Sequence, residues 1–199
     1  MLIAIDGPNG VGKSTFIEQL NDCLNKEGIS IFNTKEPTNT TLGNFVRKFA
    51  EEDNNRTTVA YLVATDRYNH FYTEIKPLLM QSKIVVCDRY IMSSFILQGM
   101  DGIDEHLIEE LNHNVHLPDL QIVLTASPSI IDNRLLNRDC ITRYEKEDCE
   151  KELFFTEKAY EWMVNKGVET LHLKNDNIED LANNITIVKN AILRRGNRI

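Results

Sequence analysis

The chain has 199 residues, with 22 Lys and Arg against 30 Asp and Glu, for a net charge of −8. That length suits one compact unit able to bury most of its apolar surface, and nothing in the composition splits it, so a single domain over 1–199 is expected. The acidic balance argues against nucleic acid as a partner. No apolar run approaches membrane length, and Met1-Leu2-Ile3-Ala4-Ile5 is too short for a signal-peptide core.

Leu2 to Ile5 reads as an apolar strand and runs straight into Gly7-Pro8-Asn9-Gly10-Val11-Gly12-Lys13-Ser14, followed by Thr15. This fits the phosphate-binding pattern G-x-x-x-x-G-K-[ST] between a strand and a helix. Its glycines let the backbone turn with several N–H groups facing one concave, anion-seeking site at a helix N-terminus. Lys13 would add a point charge on the outer phosphates of a nucleoside triphosphate, and the Ser14 hydroxyl would meet Mg²⁺.

Phe16, Ile17, Leu20 and Leu24 then recur with helical spacing up to Gly28, and Ile29 to Phe32 reads as a short strand. Lys35-Glu36-Pro37-Thr38-Asn39-Thr40 favours a loop and a helix start, at the carboxyl edge where an open α/β sheet binds ligands. Arg56 to Met80 reads as one long helix with Asp66-Arg67 in its middle. Ile84 to Cys87 is a fully apolar strand ending in Asp88-Arg89-Tyr90. A carboxylate there lies near the phosphate loop if the two strands are neighbours, which makes Asp88 a candidate for holding Mg²⁺ through water.

Helices are expected over Ser93 to Gly99 and Glu105 to Asn112, then a strand over Leu120 to Leu124 and a helix over Ser129 to Asn137. The charged stretch from Arg138 to Asp148 reads as a short lid able to close over phosphate. A helix over Glu150 to Asn165, a strand over Val168 to Leu173 and a helix over Ile178 to Leu193 complete the pattern. Regular alternation predicts an α/β fold of the phosphate-loop kinase type, with a five-stranded parallel sheet and helices on both faces.

Cys23, Cys87, Cys140 and Cys149 show no C-x-x-C spacing, which suits reduced thiols in a cytoplasm rather than a disulfide frame or zinc site. His113 and His116 read as a surface pair on a polar helix, and Arg194, Arg195 and Arg198 as a solvated tail.

Taken together, the loop at 7–15, Lys35-Glu36-Pro37, Asp66-Arg67, Asp88-Arg89-Tyr90 with Ser93, Gln98-Gly99 and Thr142-Arg143-Tyr144-Glu145 resemble the thymidylate kinase family along nearly the whole chain. The resemblance implies transfer of the γ-phosphoryl group of ATP to a deoxynucleotide, most often dTMP, with Mg²⁺ as cofactor and a homodimer as the usual assembly. It implies Arg89 as the clamp on the acceptor phosphate and Arg143 as the lid arginine at the transferred group, with Arg138 a poorer candidate. It also implies Arg67 at the base edge, Gln98 near the base or sugar, Glu36 beside the nucleotide and Tyr160 on the sugar. Arg47 reads as a solvated arginine on an amphipathic helix.

Three positions depart from the family pattern: Asn9 replaces a common acid, and Val63 and Leu97 stand where aromatic residues are common. Base recognition therefore leaves dUMP or another deoxynucleoside monophosphate open. A deoxynucleoside kinase, with Glu36 as base, and a nucleotide-binding module without catalysis are the competing readings.

Overall fold

The computed structural model describes residues 1–52, 54–136, 142–146 and 149–196. Five strands form one sheet among them: β1 (Leu2–Asp6), β2 (Ile31–Lys35), β3 (Ile84–Asp88), β4 (Leu120–Thr125) and β5 (Thr170–Lys174). All pair in parallel, in the order β2-β3-β1-β4-β5. β1 is central and buried along its whole length, which is why it carries no polar alternation.

Successive residues of β1 face opposite layers. Leu2 and Ala4 join a core with Phe71, Ile75, Ile91, Phe95 and Met163, whereas Ile3 and Ile5 join Phe16, Leu20, Ile131, Ile185 and Val188. The first layer therefore carries α3 (Arg56–His70), α5 (Ile91–Met100) and α8 (Cys149–Asn165). The second carries α1 (Lys13–Lys26), α7 (Pro128–Leu136) and α9 (Ile178–Gly196). Among the described residues no helix is long and apolar enough to cross a membrane.

Two expected elements shift. β2 covers Ile31–Lys35 rather than Ile29–Phe32, because its pairing with β3 runs from Ile31 opposite Ile84 to Lys35 opposite Asp88. As a half-exposed edge strand, it is not marked by apolar residues over its second half. The long helix predicted over Arg56–Met80 is α3, a π-helical turn Phe71–Ile75 and α4 (Lys76–Met80). Pro77 has no N–H for the regular ladder and its ring crowds the preceding turn, and Lys76 N–H reaches back to the Phe71 carbonyl instead.

Between β2 and α3 lies α2 (Thr41–Glu51), capped by Thr40, whose Oγ1 accepts from Gly43 N–H at 3.2 Å. The turn before it is held from α3: Asp66 accepts from both the main-chain N–H and the hydroxyl of Thr38 at 2.7 Å. The helix α6 (Glu105–Asn112) closes the same side of the molecule through Asn112.

Candidate active site

The carboxyl ends of β2, β3 and β1 are stitched together. Arg89 N–H donates to the Ile5 carbonyl at 2.9 Å, and Glu36 N–H donates to the Asp88 carbonyl at 3.0 Å. Asp6, fully buried at the end of β1, accepts from Tyr90 N–H at 3.2 Å, from the Ser93 hydroxyl and from Gln121 Nε2 at 3.0 Å. The phosphate loop and the Asp88-Arg89-Tyr90 turn thereby share one anchor. Arg89 takes a left-handed conformation with φ +67°, a strained state that sharp functional turns sustain.

The loop itself needs glycine where it crosses β4. A Cβ on Gly7, at φ +143°, would lie 2.0 Å from the Leu124 carbonyl oxygen. Gly12, at φ +96°, ends the loop and α1 begins at Lys13. Lys13 is buried, and its ammonium donates to the Gly7 and Pro8 carbonyls at 2.9 and 2.7 Å. Burial, and then repulsion from Arg89, lower its pKa to about 7 against the pull of Asp88, Glu152 and Asp6.

A cleft of about 430 Å³ opens beside the loop. Asn9, Asp88, Arg89 and Ser93 line it together with Val59, Val63, Leu97 and Gln98. Arg89 points at the loop: its Nη2 donates to Asn9 Oδ1 at 2.7 Å and its Nη1 to the Ser93 hydroxyl at 3.2 Å. Two cleft-lining residues, Asp88 and Gln98, each carry a buried oxygen, Oδ1 and Oε1, with no hydrogen-bond partner among the described residues. Asp88 also faces a second cavity of about 770 Å³, on which Ser14 lies exposed. Thr15 is exposed beside it on the first turn of α1.

Glu36 and Arg67 do reach the cleft, but both are committed to each other. Arg67, 1% exposed, donates through Nε to Glu36 Oε2 at 2.7 Å, through Nη1 to Ser94 and Asn112, and through Nη2 to the Tyr90 carbonyl. The other Glu36 oxygen pairs with His70 Nδ1 at 3.0 Å. Burial opposes charge on His70, but the hydrogen bonds and charges of Glu36 and Glu74 raise its pKa on balance. Asp66 and Arg67, adjacent on α3, thus pin the two ends of the turn that carries the cis Glu36–Pro37 bond.

Two of the expected site residues do not line the cleft in this structure. Tyr160 does not line the cleft; its ring packs 5.0 Å from that of His172, against β5, because α8 turns its Glu152, Thr156 and Ala159 face inward instead. Arg143 does not stand over the phosphate loop: it forms a two-pronged ion pair with Asp101, at 2.5 and 3.0 Å, donates to the Ala50 carbonyl at 2.9 Å and lies 3.9 Å from the centre of the Tyr144 ring. A nearly buried carboxylate is the stronger attractor for a guanidinium than an open cavity. Arg138, the rest of the proposed lid outside 142–146, Cys140 and Arg198 lie outside the described residues. Arg47 is not merely solvated, since it donates to the Pro37 and Thr38 carbonyls and lines the cleft.

Sequence reasoning passed over Asp6, Glu152 and Arg134. Arg134 donates to the Val11 carbonyl at 3.1 Å and to those of Asn175 and Asp176 at 3.0 Å, which fixes the far side of the phosphate loop. Glu152, on α8, accepts from the Asn9 main chain and side chain, and burial raises its pKa. An acid at a helical position whose other inward residues are small or apolar was the available signal for Glu152.

Comparison with known proteins agrees with this geometry. A family profile described as thymidylate kinase matches residues 5–185. A probable thymidylate kinase of Caldivirga maquilingensis is 36% identical over 149 residues, covering 73% of each chain. One of Thermococcus onnurineus is 30% identical across 98% of this chain and all of its own length. The crystal structure of thymidylate kinase from Ehrlichia chaffeensis superposes with a TM-score of 0.74 at 25% identity, covering 96% of this chain and 98% of that one.

Proposed function

The chain belongs to the thymidylate kinase family, and we propose that its cleft seats a nucleoside monophosphate between Arg89 and the phosphate loop. It is a phosphotransferase that uses ATP to convert dTMP to dTDP. The observation that supports the seating is Arg89: a guanidinium aimed at the loop that holds the donor, across a cavity of nucleotide size. Two polyanions can meet only with a cation between them, and phosphoryl transfer depends on positioning and charge neutralisation more than on covalent chemistry.

In this reading the main-chain amides of 10–15 hold the ATP phosphates and Lys13 leaves the Gly7 and Pro8 carbonyls to meet them. Arg89 and Ser93 hold the acceptor phosphate. The base lies toward Val63 and Leu97, where Gln98 Oε1 offers an acceptor to an imide N–H. Arg67 and Glu36 act as the rigid wall behind the nucleotide, and Arg143 acts as a clasp holding 142–146 to Asp101 and Ala50 beside the cleft. Asp88, with one carboxylate oxygen lacking a hydrogen-bond partner, and Ser14 both line the second cavity, and their oxygens suit a hard divalent cation such as Mg²⁺. That ion, when bound, neutralises charge on the phosphate oxygens of ATP.

Both oxygens of Glu36 carry ion-pair partners, which disfavours its use as the base that a deoxynucleoside kinase requires. Family resemblance and the exposed Phe45 and Tyr61 on α2 and α3 favour a homodimer, and the free thiols of Cys23 and Cys87 favour the cytoplasm. The decisive experiment is ADP release from Mg-ATP in the presence of dTMP, dUMP or thymidine. Fast release with dTMP is expected; preference for thymidine would overturn the seating of a phosphate under Arg89.

A further inference from the structure

We propose that Glu152 is a positioning residue for the acceptor clamp, acting through Asn9; this rests on the kinase reading above. Glu152 is 3% exposed on α8, and its Oε1 accepts from both Asn9 N–H and Asn9 Nδ2 at 3.0 Å. An acceptor in that place draws the NH₂ end of the side-chain amide toward itself. The carbonyl end must then turn the other way, and Asn9 Oδ1 meets Arg89 Nη2 at 2.7 Å.

The consequence is electrostatic. Both recorded hydrogen-bond acceptors of Arg89, Asn9 Oδ1 and Ser93 Oγ, are neutral, and among the described residues no ion pair engages it. The guanidinium is therefore aimed by neutral hydrogen-bond partners, and Glu152 acts on it only through space, so no carboxylate occupies its donors when a phosphate arrives. Asn9 works as a neutral spacer that transmits the orientation set by Glu152 while keeping that carboxylate off Arg89.

This also explains why an amide rather than an acid stands at position 9. An aspartate there would set a second carboxylate at hydrogen-bond distance from Glu152, where two ionised groups cannot both be held. The charge that many relatives carry in the loop is, in this chain, carried from α8. Since α8 begins just after the segment 142–146 that Arg143 clasps, Glu152 also ties that end of the molecule to the loop.

The test uses the full chain, with dTMP and ATP varied separately, for wild type, Glu152→Ala, Asn9→Asp, Glu152→Gln and the double variant of the last two. Asn9→Asp is expected to raise KM for dTMP roughly tenfold with KM for ATP changed less than about twofold, and adding Glu152→Gln to restore it to within about threefold of wild type. Glu152→Ala, which leaves Asn9 without its acceptor, is expected to raise KM for dTMP roughly tenfold with KM for ATP little changed, and Glu152→Gln, which keeps an acceptor there, to raise it less; a Glu152→Ala variant with wild-type KM for dTMP would also overturn the inference. A double variant no better than Asn9→Asp, or an Asn9→Asp variant equal to wild type, would overturn the inference with the kinase reading intact. A purely structural Glu152 would lower the melting temperature without any such rescue. Wild-type protein with no turnover would overturn the kinase reading and this inference with it.

Discussion

Arg89 and Asn9 join the two halves of the site: a hydrogen bond of 2.7 Å links the guanidinium at the end of β3 to the side-chain carbonyl in the phosphate loop after β1. The two strands are paired neighbours, with Ile5 opposite Asp88, so this contact follows from sheet order. The account of function rests on that relationship.

Replacing Arg89 by Ala removes the guanidinium proposed to clamp the acceptor phosphate. A loss of roughly 2–5 kcal/mol in transition-state stabilisation is expected, which is about thirtyfold to several thousandfold in kcat/KM for dTMP. ATP affinity should change much less. Arg89→Lys should recover only part, because an ammonium cannot reproduce the two-pronged geometry. Steady-state kinetics and separate nucleotide-binding measurements check both.

Lys13 gives a pH dependence with a definite sign. Its pKa is about 7 in the folded chain and near its ordinary value of 10.5 when unfolded, so the unfolded state binds more protons between these values. This group's contribution to stability therefore rises with pH across that window, and Lys13→Met should flatten the rise in urea midpoints taken from pH 7 to 9. Bound phosphate favours the charged ammonium, so ATP binding at pH 8 should take up protons. Calorimetry in buffers of different ionisation heat measures that uptake.

Arg67→Ala tests the buried network rather than base recognition. It leaves Glu36 beneath the cleft without its guanidinium, and destabilisation of roughly 3–5 kcal/mol is expected in denaturant unfolding. A variant with unchanged stability and impaired dTMP binding would return Arg67 to the base edge.

The aliphatic Val63 and Leu97 in the cleft lining predict a gain. Val63→Phe would supply an aromatic face where the cleft is aliphatic, and about 1 kcal/mol of added stacking corresponds to roughly a fivefold lower KM for dTMP. Comparing dTMP with dUMP in the same variant separates stacking from contact with the base methyl group.

Gly7→Ala should abolish nucleotide binding or folding, because its Cβ would meet the Leu124 carbonyl at 2.0 Å and backbone cannot yield there cheaply. Soluble expression followed by nucleotide titration distinguishes the two.

The sheet and the loop were legible because they depend on local pattern. Continuous apolar runs mark β1, β3 and β4 as strands buried on both faces, and the glycine spacing specifies a backbone shape. What the sequence hid depends on partners distant in the chain. Arg67 looks free on α3 until Glu36, Ser94 and Asn112 converge on it, and Arg143 looks mobile until Asp101 is found beside it. The role of Glu152 needs the loop 143 positions away. The shifted β2 and the π-helical turn at Phe71–Ile75 were hidden by an exposed edge and by one proline.

The most direct test is the affinity of a ligand in which adenosine and thymidine are joined by an oligophosphate, measured for wild type and Arg89→Ala. Facing seats predict that it binds wild type much more tightly than either ADP or dTMP and loses roughly a hundredfold on removal of Arg89. Binding no tighter than ADP, and indifferent to Arg89, would contradict the account.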